Sequence, residues 1–351
     1  MRLVLALIML VAMAPAALAQ IVTPTEMLRS SVTNVVRPQM KAFAVSAARL
    51  SDEAATLCAE PSPSHLEAAR DEFAAAAAAY GRVEFLRLGP LVEDNRSDRL
   101  LFWPDRRSLG LRQVQQILAE QDSTATEIAT LKAKSVAAQG FGALEFVLFG
   151  TDAETLAGPD GAFRCAYGRT IARNIAEIAG ELVDAWADPD GIAARLMQPS
   201  ADNADYRTQT ESLEALVGVV AHGVEAIRDT RVSPFIGRAG EEPRPRQALF
   251  WRSGQTVPML RANVEGLRRL VDLSGIVADP ALAAEVAAAF DRASASLDAV
   301  TAPPELAVAD PAQMSALSDL VVATQDLQQL IGEQLSGTLG LSVGFSSLDG
   351  D

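Results

Sequence analysis

The sequence predicts an all-α protein built from two antiparallel helical-bundle halves. The chain is rich in Ala and Leu, which are among the strongest helix formers. No stretch alternates polar and apolar residues with the period of two that a half-buried strand requires. Short strings also recur in the same order in the two halves, which predicts an internal duplication.

Residues 1–19 have the three parts of a secretory signal peptide. Arg2 gives a positive start, residues 3–13 form an apolar core, and 17–19 form a small-residue cleavage site before Gln20. A membrane anchor is the alternative, but the apolar run is short and Pro15 interrupts it. We therefore expect an exported protein of the periplasm or cell envelope, with no transmembrane segment after cleavage.

The formal net charge of −15 narrows the classes of partner. An acidic surface argues against binding nucleic acid or anionic lipid. It is compatible with binding a cation, and equally with solubility alone.

Cys58 and Cys165 are the two cysteines of the chain. In an exported protein such a pair predicts one disulfide. It would close a loop of roughly a hundred residues, worth about 4–5 kcal/mol in the chain-entropy model. A cysteine-based metal site is the alternative, but neither residue has a CxxC partner or a neighbouring histidine.

Helix boundaries follow from caps and breakers. Ser64 begins a capping box with Glu67, and Gly89 with Pro90 ends the helix that follows. Residues 188–205 are rich in Asp, Pro and Gly and predict a linker, which divides the mature chain into 20–195 and 196–351. The Gly- and Ser-rich tail from Gly340 is predicted to be non-helical. Helices are predicted near 26–57, 64–88, 110–134, 136–149, 164–186, 207–231, 255–273, 280–299 and 311–336.

The similarity between the two halves of the sequence consists of two short matches. Glu84-Phe85-Leu86-Arg87 matches residues 225–228, and Leu101-Phe102-Trp103 matches residues 249–251. The strings are short enough for chance to be the alternative to duplication.

Residues 140–150 read GFGALEFVLFG, in which Glu145 is the only charge. On a helix, Glu145 shares a face with Phe141, Gly142, Leu148 and Phe149. A carboxylate on an apolar stripe is costly unless it is paired, protonated or bound to a metal. This segment therefore predicts either a buried structural ion pair or a functional site.

Other charges lie beside apolar or aromatic residues. Glu84 and Arg87 are i, i+3 partners near the end of a predicted helix, so they either neutralise each other or line a pocket. Trp103 precedes Arg106 in an aromatic corner, where Arg106 is either solvated or close to Glu145 or a ligand carboxylate.

His222 and Glu225 fit an HxxE pattern. On a helix the two side chains lie next to each other and form half of a transition-metal site. A hydrogen-bonded structural histidine is the alternative, because a pattern of two residues has low specificity.

The string VAAQGFGALEFVLFG resembles the signature region of the imelysin-like proteins, which carry Gly-x-His-x-x-Glu. The strings EFLRLGP, LLFWPDRR, LRQVQQIL, FRCAYG and SVGFSSLDGD add to the resemblance and span most of the mature chain. The resemblance implies an all-helical bacterial envelope protein with two bundle-like halves. It also implies a link to metallopeptidase activity and to the uptake of iron or other metals.

Carried over residue by residue, the signature glycine is Gly140 and its glutamate is Glu145. The histidine position is occupied by Gly142. The substitution removes a metal ligand and leaves a notch one turn before Glu145. Either close helix packing at the two glycines or a pocket explains it.

These observations favour a binding protein for a metal ion such as iron, or for a small envelope ligand, over an enzyme. A metallopeptidase that uses Glu145 with His222 and Glu225 as metal ligands is one alternative. A non-catalytic scaffold for a protein partner is the other. The predicted ligand-binding residues are Glu145, Gly142, Gly140, Glu84, Arg87, Trp103 and Arg106.

Overall fold

The computed structural model describes residues 22–105, 107–237 and 240–342. Within these ranges every regular element is helical, which confirms the all-α prediction. None of the helices in these ranges is long and apolar enough to cross a membrane. The predicted signal peptide, Arg106 and tail residues 343–351 lie outside the described residues.

The α-helices fall on both sides of residue 200. Three π-helical segments each continue one α-helix into the next, at 31–36, 227–232 and 330–335. The first half contains α1 (Pro24–Ser30), α2 (Arg37–Ala59), α3 (Pro63–Gly81), α4 (Arg96–Leu100), α5 (Leu109–Glu120), α6 (Ile128–Lys132), α7 (Phe141–Phe149), α8 (Ala162–Ala187) and α9 (Ile192–Met197). The second half contains α10 (Gln209–Ala226), α11 (Ser233–Ile236), α12 (Thr256–Ser274), α13 (Pro280–Asp298), α14 (Pro304–Ala307), α15 (Pro311–Gln329) and α16 (Ser336–Leu339).

Three long helices form the frame of the first half. Helix α2 packs along both α3 and α8, and α7 packs across α3 and α8. A disulfide between Cys58 and Cys165 joins the end of α2 to the beginning of α8 across 107 residues, as predicted. The bridge therefore fixes the relative position of two helices that support α7.

The second half packs directly on the first. Helix α12 lies against α3 as well as against α10 and α13, and α1 contacts both α10 and α12. The buried apolar side chains of both halves belong to one continuous cluster. The predicted boundary at residue 195 falls inside α9, where Ile192 and Leu196 are buried.

Helix α3 is shorter than its pattern predicted. Its N-cap is Ser62 rather than Ser64, and it ends at Gly81 rather than near residue 88. A Cβ on Gly81 would lie 2.8 Å from Sδ of Met259, so α12 passes very close at this point. Residues 82–85 form a turn, and the string that contains Glu84 and Arg87 is not helical.

The predicted helix 110–134 is interrupted. Helix α5 ends where Gln121 adopts a left-handed conformation with φ 50°, and α6 begins only at Ile128. Asp122 accepts hydrogen bonds from Thr124 and from Nζ of Lys134, which stabilises the turn between the two helices.

The segment before α7 is bound to α8 by buried polar groups. The hydroxyl of Tyr167 donates to the carbonyl of Ala138 at 2.6 Å, and Nδ2 of Asn174 donates to the carbonyl of Gln139 at 3.0 Å. Both side chains are almost fully buried, so these bonds are shielded from water.

Two arginines bind the carbonyl groups at the C-terminal end of α7. Arg164 donates to the carbonyl of Val147 at 3.0 Å, and Arg70 donates to the carbonyl of Leu148 at 3.0 Å. Cations here also complement the negative end of the helix dipole. Helix α7 is thus held at both ends, which fixes the direction in which its glutamate points.

Gly140 is required by a close approach of two backbone segments. A Cβ at this position would lie 2.3 Å from the carbonyl oxygen of Leu100 and 2.4 Å from that of Arg99. Close packing therefore explains why residue 140 is glycine. The same packing brings the residues that follow Leu100 next to the start of α7.

We expect Gly140→Ala to lower the free energy of unfolding by about 1–3 kcal/mol or more, because the backbone must move to admit the methyl group. Gly142→Ala is the matched control. Its added Cβ would meet nothing within 4 Å, so helix propensity should make it neutral or stabilising by up to about 1 kcal/mol. Urea denaturation of both variants measures the difference. Equal effects at the two positions would contradict the packing role of Gly140.

Candidate ligand-binding site

A cavity of about 480 Å³ lies where the two halves meet, and we call it the first cavity. One wall comes from α7 and from the segment between α4 and α5. The other comes from residues 229–234 and 244–252 of the second half. Sites between two packed units are common positions for small-molecule pockets. Its polar and aromatic lining includes Phe102, Trp103, Asp105, Glu145, Asp229, Arg244, Arg246, Phe250, Trp251 and Arg252.

The two copies of the LFW string converge on this cavity. Phe102 and Trp103 line it from the first half, and Phe250 and Trp251 line it from the second. Nε1 of Trp103 donates to the carbonyl of Thr230 at 3.0 Å, which ties the first string to the opposite half.

Glu145 connects α7 to the second half. Its Oε1 accepts hydrogen bonds from the backbone N–H of Arg252 at 3.1 Å, the backbone N–H of Ser253 at 3.0 Å and the hydroxyl of Ser253 at 3.0 Å. Oε2 lies 4.0 Å from Nη1 of Arg252. Only 5% of the residue is exposed. The carboxylate therefore acts as a buried acceptor for a turn that lies more than a hundred residues away in the sequence.

The turn at 249–254 presents those N–H groups. Phe250 has φ 58° and Gly254 has φ 71°, both in the left-handed region that tight turns use. The hydroxyl of Thr256 donates to the carbonyl of Leu249 at 2.6 Å, and the hydroxyl of Ser253 lies 3.2 Å from the carbonyl of Phe250. This local folding directs two successive N–H groups towards Glu145, which is an arrangement that favours an anion.

Burial raises the pKa of Glu145 above its ordinary value. The hydrogen bonds from Ser253 and the charge of Arg252 oppose that rise without cancelling it. Burial also lowers the pKa of Arg252, and the charge of Glu145 opposes that change. An arginine stays protonated under all ordinary conditions.

Arginine side chains lie along the second-half wall beside an indole ring. The guanidinium of Arg252 lies 4.4 Å from the ring centroid of Trp251 and 5.5 Å from that of Phe146. The guanidinium of Arg246 lies 5.4 Å from the Trp251 centroid. Cation–π contacts hold both planar groups without using their N–H donors, and Arg252 also lies 4.0 Å from Oε2 of Glu145.

Gly142 opens into the first cavity. It is exposed, and a Cβ built on it would meet nothing within 4 Å. The two glycines of this segment thus have different roles, because Gly140 packs against backbone and Gly142 leaves space one turn from Glu145.

The other predicted residues are divided between two cavities. Glu84, Arg87 and His222 line a second cavity of about 610 Å³, and Trp103 lines both cavities. The sequence predicts one pocket that contains Glu84, Arg87 and Glu145. In the structure, Glu84 and Arg87 line the second cavity and Glu145 lines the first. Glu225 is buried on α10 but lines neither cavity among the described residues.

Glu84 and Arg87, for which mutual pairing and a place in a pocket were the two alternatives, are not paired with each other, and both line the second cavity. Glu84 instead bonds to Nη2 of Arg231 at 2.8 Å, because the end of α3 at Gly81 removes the helical spacing on which the i, i+3 pair depends. In the second copy, Arg228 bonds to Asp229 and Gln328 rather than to Glu225.

Sequence reasoning missed Arg246, Trp251, Arg252 and Ser253. The signal that could have found them was the repeated LFW string, since it marks the segment that lies opposite α7. Its second copy is followed directly by the residues that bind Glu145.

The donor set at Glu145 does not fit a metal ion. Within the described ranges no group of three His, Cys, Asp or Glu side chains is close enough to hold one. Glu145, His222 and Glu225 therefore do not form the predicted metal site. Gly142 stands at the position of the family's histidine, Oε1 already accepts three hydrogen bonds, and Nη1 of Arg252 lies 4.0 Å from Oε2.

The family model described as Imelysin matches residues 36–331. The chain belongs to the imelysin family. No curated protein is similar enough in sequence to count as a match.

Two solved structures share the fold. An imelysin-like protein from Psychrobacter arcticum 273-4 is 22% identical, with a TM-score of 0.73 over 92% of this chain and 97% of that chain. A putative iron-regulated protein A precursor from Parabacteroides distasonis ATCC 8503 is 15% identical, with a TM-score of 0.70 over 88% of this chain and 95% of that chain. The similarity confirms the imelysin-like all-helical fold.

We expect Glu145→Ala to lower the free energy of unfolding by about 2–4 kcal/mol, because it leaves buried donors on the turn at 252–253 unpaired. Glu265→Ala is the matched control, since Glu265 pairs with Arg82 at the surface and should matter by less than about 1 kcal/mol. Chemical denaturation measures both. A Glu145→Ala variant as stable as its control would contradict the structural role of this carboxylate.

The raised pKa of Glu145 gives a pH dependence of known sign. The folded state holds this proton more tightly than the unfolded state, so folding takes up a proton between the two pKa values. This contribution to stability is fully present below about pH 4 and is lost as the pH rises through the folded-state pKa. Relative to Glu145→Gln, the wild type should therefore lose stability as the pH rises from about 4 through the folded-state pKa. Denaturation at several pH values tests this. A relative gain over the same interval would show that the hydrogen bonds outweigh burial.

Proposed function

We propose that this imelysin-family chain is an exported cell-envelope protein that binds a small polycarboxylate, free or as its ferric chelate, in the first cavity. The disulfide supports export, because such bonds persist in oxidising compartments. The predicted signal peptide supports it independently. The name of the Parabacteroides distasonis structure, a putative iron-regulated protein A precursor, supports a connection to iron.

The observation that carries the proposal is that the acidic groups of the first cavity have close hydrogen-bond or ion-pair partners within the protein, whereas the guanidinium groups of two of its arginines donate no hydrogen bond to any described residue. Asp105 accepts hydrogen bonds from the first N–H groups of α5, Asp229 pairs with Arg228, and Glu145 binds the turn at 252–253. The guanidinium groups of Arg246 and Arg252 make aromatic contacts but no hydrogen bond within the described part of the chain, and Arg252 has in addition only the long 4.0 Å ion-pair contact with Oε2 of Glu145.

Unused guanidinium donors favour an anionic ligand over a bare cation. A guanidinium presents its N–H groups as a planar fork that matches a carboxylate. Two such groups lie against one indole ring, which suits a ligand with more than one carboxylate. The open space beside Gly142 gives the body of the ligand room next to α7.

A ferric polycarboxylate would connect these features to iron without a protein metal site. Iron would be coordinated by the ligand, and the protein would recognise the anionic carboxylates of the chelate. Binding of a chelate rather than of a bare ion accounts for the arginines of the first cavity. A protein metal site would instead need several carboxylates or histidines grouped around the ion.

The alternatives are less well supported. A zinc-type peptidase needs three protein ligands and an open position, and the described residues offer no such group. A scaffold for a protein partner has no specific observation in its favour, whereas the first cavity is large enough for a small molecule.

Isothermal titration calorimetry with citrate, ferric citrate and anaerobic Fe²⁺ tests the proposal. We expect citrate or ferric citrate to bind and Fe²⁺ alone to give no saturable heat. Arg246→Gln and Arg252→Gln should each weaken binding at least about tenfold, because each removes a charge-assisted contact worth about 1.5–3 kcal/mol.

Arg173→Gln is the control, since Arg173 lies in a surface i, i+4 pair on α8. Its affinity for citrate should equal that of the wild type. Stoichiometric binding of Fe²⁺ that is lost in Glu145→Ala would overturn the proposal and restore the metal-site prediction.

A further inference from the structure

The second cavity contains several buried polar atoms without partners. Oδ1 of Asn263, Nε2 of His222 and Nε of Arg231 are buried and have no hydrogen-bond partner among the described residues. All three residues line the same cavity. Buried polar groups are nearly always paired, so three orphan atoms on one wall indicate a site that a polar molecule completes.

Asn263 is the most informative of the three. Only 3% of the residue is exposed. Its Nδ2 donates to the carbonyl of Gly81 at 2.7 Å and to Oε1 of Glu84 at 2.9 Å, so the orientation of the amide is fixed. The remaining Oδ1 is an acceptor, which a ligand with an N–H or O–H group would satisfy.

The charges of the second cavity leave one cation available. Glu84 is neutralised by Arg231 and also accepts a hydrogen bond from Nδ2 of Asn263. Glu214 accepts from the backbone N–H and the hydroxyl of Ser342. Arg87 is exposed and has no acidic partner in the described ranges. A carboxylate is the group that a free guanidinium binds best.

Apolar side chains complete the wall. Phe85, Leu101, Val219 and Leu267 line the second cavity together with the ring of Trp103. The volume of about 610 Å³ admits a ligand with a large apolar group. Gly218 lies beneath His222, and a Cβ built there would be 3.8 Å from the imidazole, so the ring has free space beside it.

We propose that the second cavity binds a small α-amino or α-hydroxy acid with a large apolar side chain. The carboxylate binds Arg87, and the amino or hydroxyl group donates to Oδ1 of Asn263. His222 and Arg231 supply the remaining polar contacts. This site is separate from the one proposed for the polycarboxylate, although Trp103 lies on the wall of both.

Calorimetry with four matched compounds tests the ligand class. L-phenylalanine carries an amino group and a carboxylate, and L-3-phenyllactate replaces the amino group with a hydroxyl. 3-phenylpropionate lacks the α-donor, and 2-phenylethylamine lacks the carboxylate. We expect at least one of the first two to bind, 3-phenylpropionate to bind at least about tenfold more weakly, and 2-phenylethylamine not to bind. Which of the first two binds distinguishes an amino acid from a hydroxy acid. Equal binding of 2-phenylethylamine, or no binding by any of the four, would overturn the proposal.

Arg87→Gln is the decisive variant because Arg87 is exposed and its loss should not affect folding. It should weaken binding at least about tenfold. Arg82→Gln is the control, since Arg82 lies five positions earlier, pairs with Glu265 and does not line the cavity. Equal effects of the two substitutions would contradict the role of Arg87.

His222→Phe adds a readout that a structural role would not produce. Because it removes a buried unpaired nitrogen, the variant without ligand should melt at the same temperature as the wild type or higher, and its ligand-induced thermal shift should fall. A lower melting temperature with unchanged affinity would show that the imidazole is structural. If His222→Phe does not fold, the Arg87 and Arg82 pair still decides the question.

The two proposals fail independently. Arg246→Gln should not change binding of the phenylalanine analogues, and Arg87→Gln should not change binding of citrate. Loss of both ligands in either variant would mean that the cavities do not act as separate sites.

Discussion

The architecture around the first cavity depends on one buried acceptor, Oε1 of Glu145. It accepts from two successive backbone N–H groups and one hydroxyl of a turn in the other half of the chain. The carboxylate is held in place because α7 is fixed at both ends, by Tyr167 before its first residue and by Arg70 and Arg164 at its last carbonyl groups. A charge that the sequence places on an apolar helix is thus balanced by donors that only the tertiary structure supplies.

The signature segment of this chain can be understood without a metal. Gly140 allows backbone to pass within contact distance, Gly142 opens space, and Glu145 binds the opposite half. Loss of the histidine removes a ligand, and the arginines on the facing wall make the first cavity suited to an anion. These features are the basis of our proposal that this member of the family recognises an organic anion rather than coordinating a cation directly.

Local sequence was sufficient to predict the fold class and the disulfide. It failed where long-range packing decides. Helix α3 ends at Gly81, where α12 passes very close, and beyond that end Glu84 meets Arg231 rather than Arg87. The division into two cavities, with Trp103 shared between them, likewise depends on how the halves pack and has no signature in either string alone.

The central claim is that Glu145 holds the turn at 249–254 of the other half. Hydrogen exchange of the amides in this turn, measured by mass spectrometry in the wild type and in Glu145→Ala, tests that claim most directly. The account predicts that the amides of Arg252 and Ser253 are protected in the wild type and exchange much faster in the variant, while amides in α13 are unchanged. Protection that is the same in both proteins would contradict the claim that Glu145 holds the two halves together at this turn.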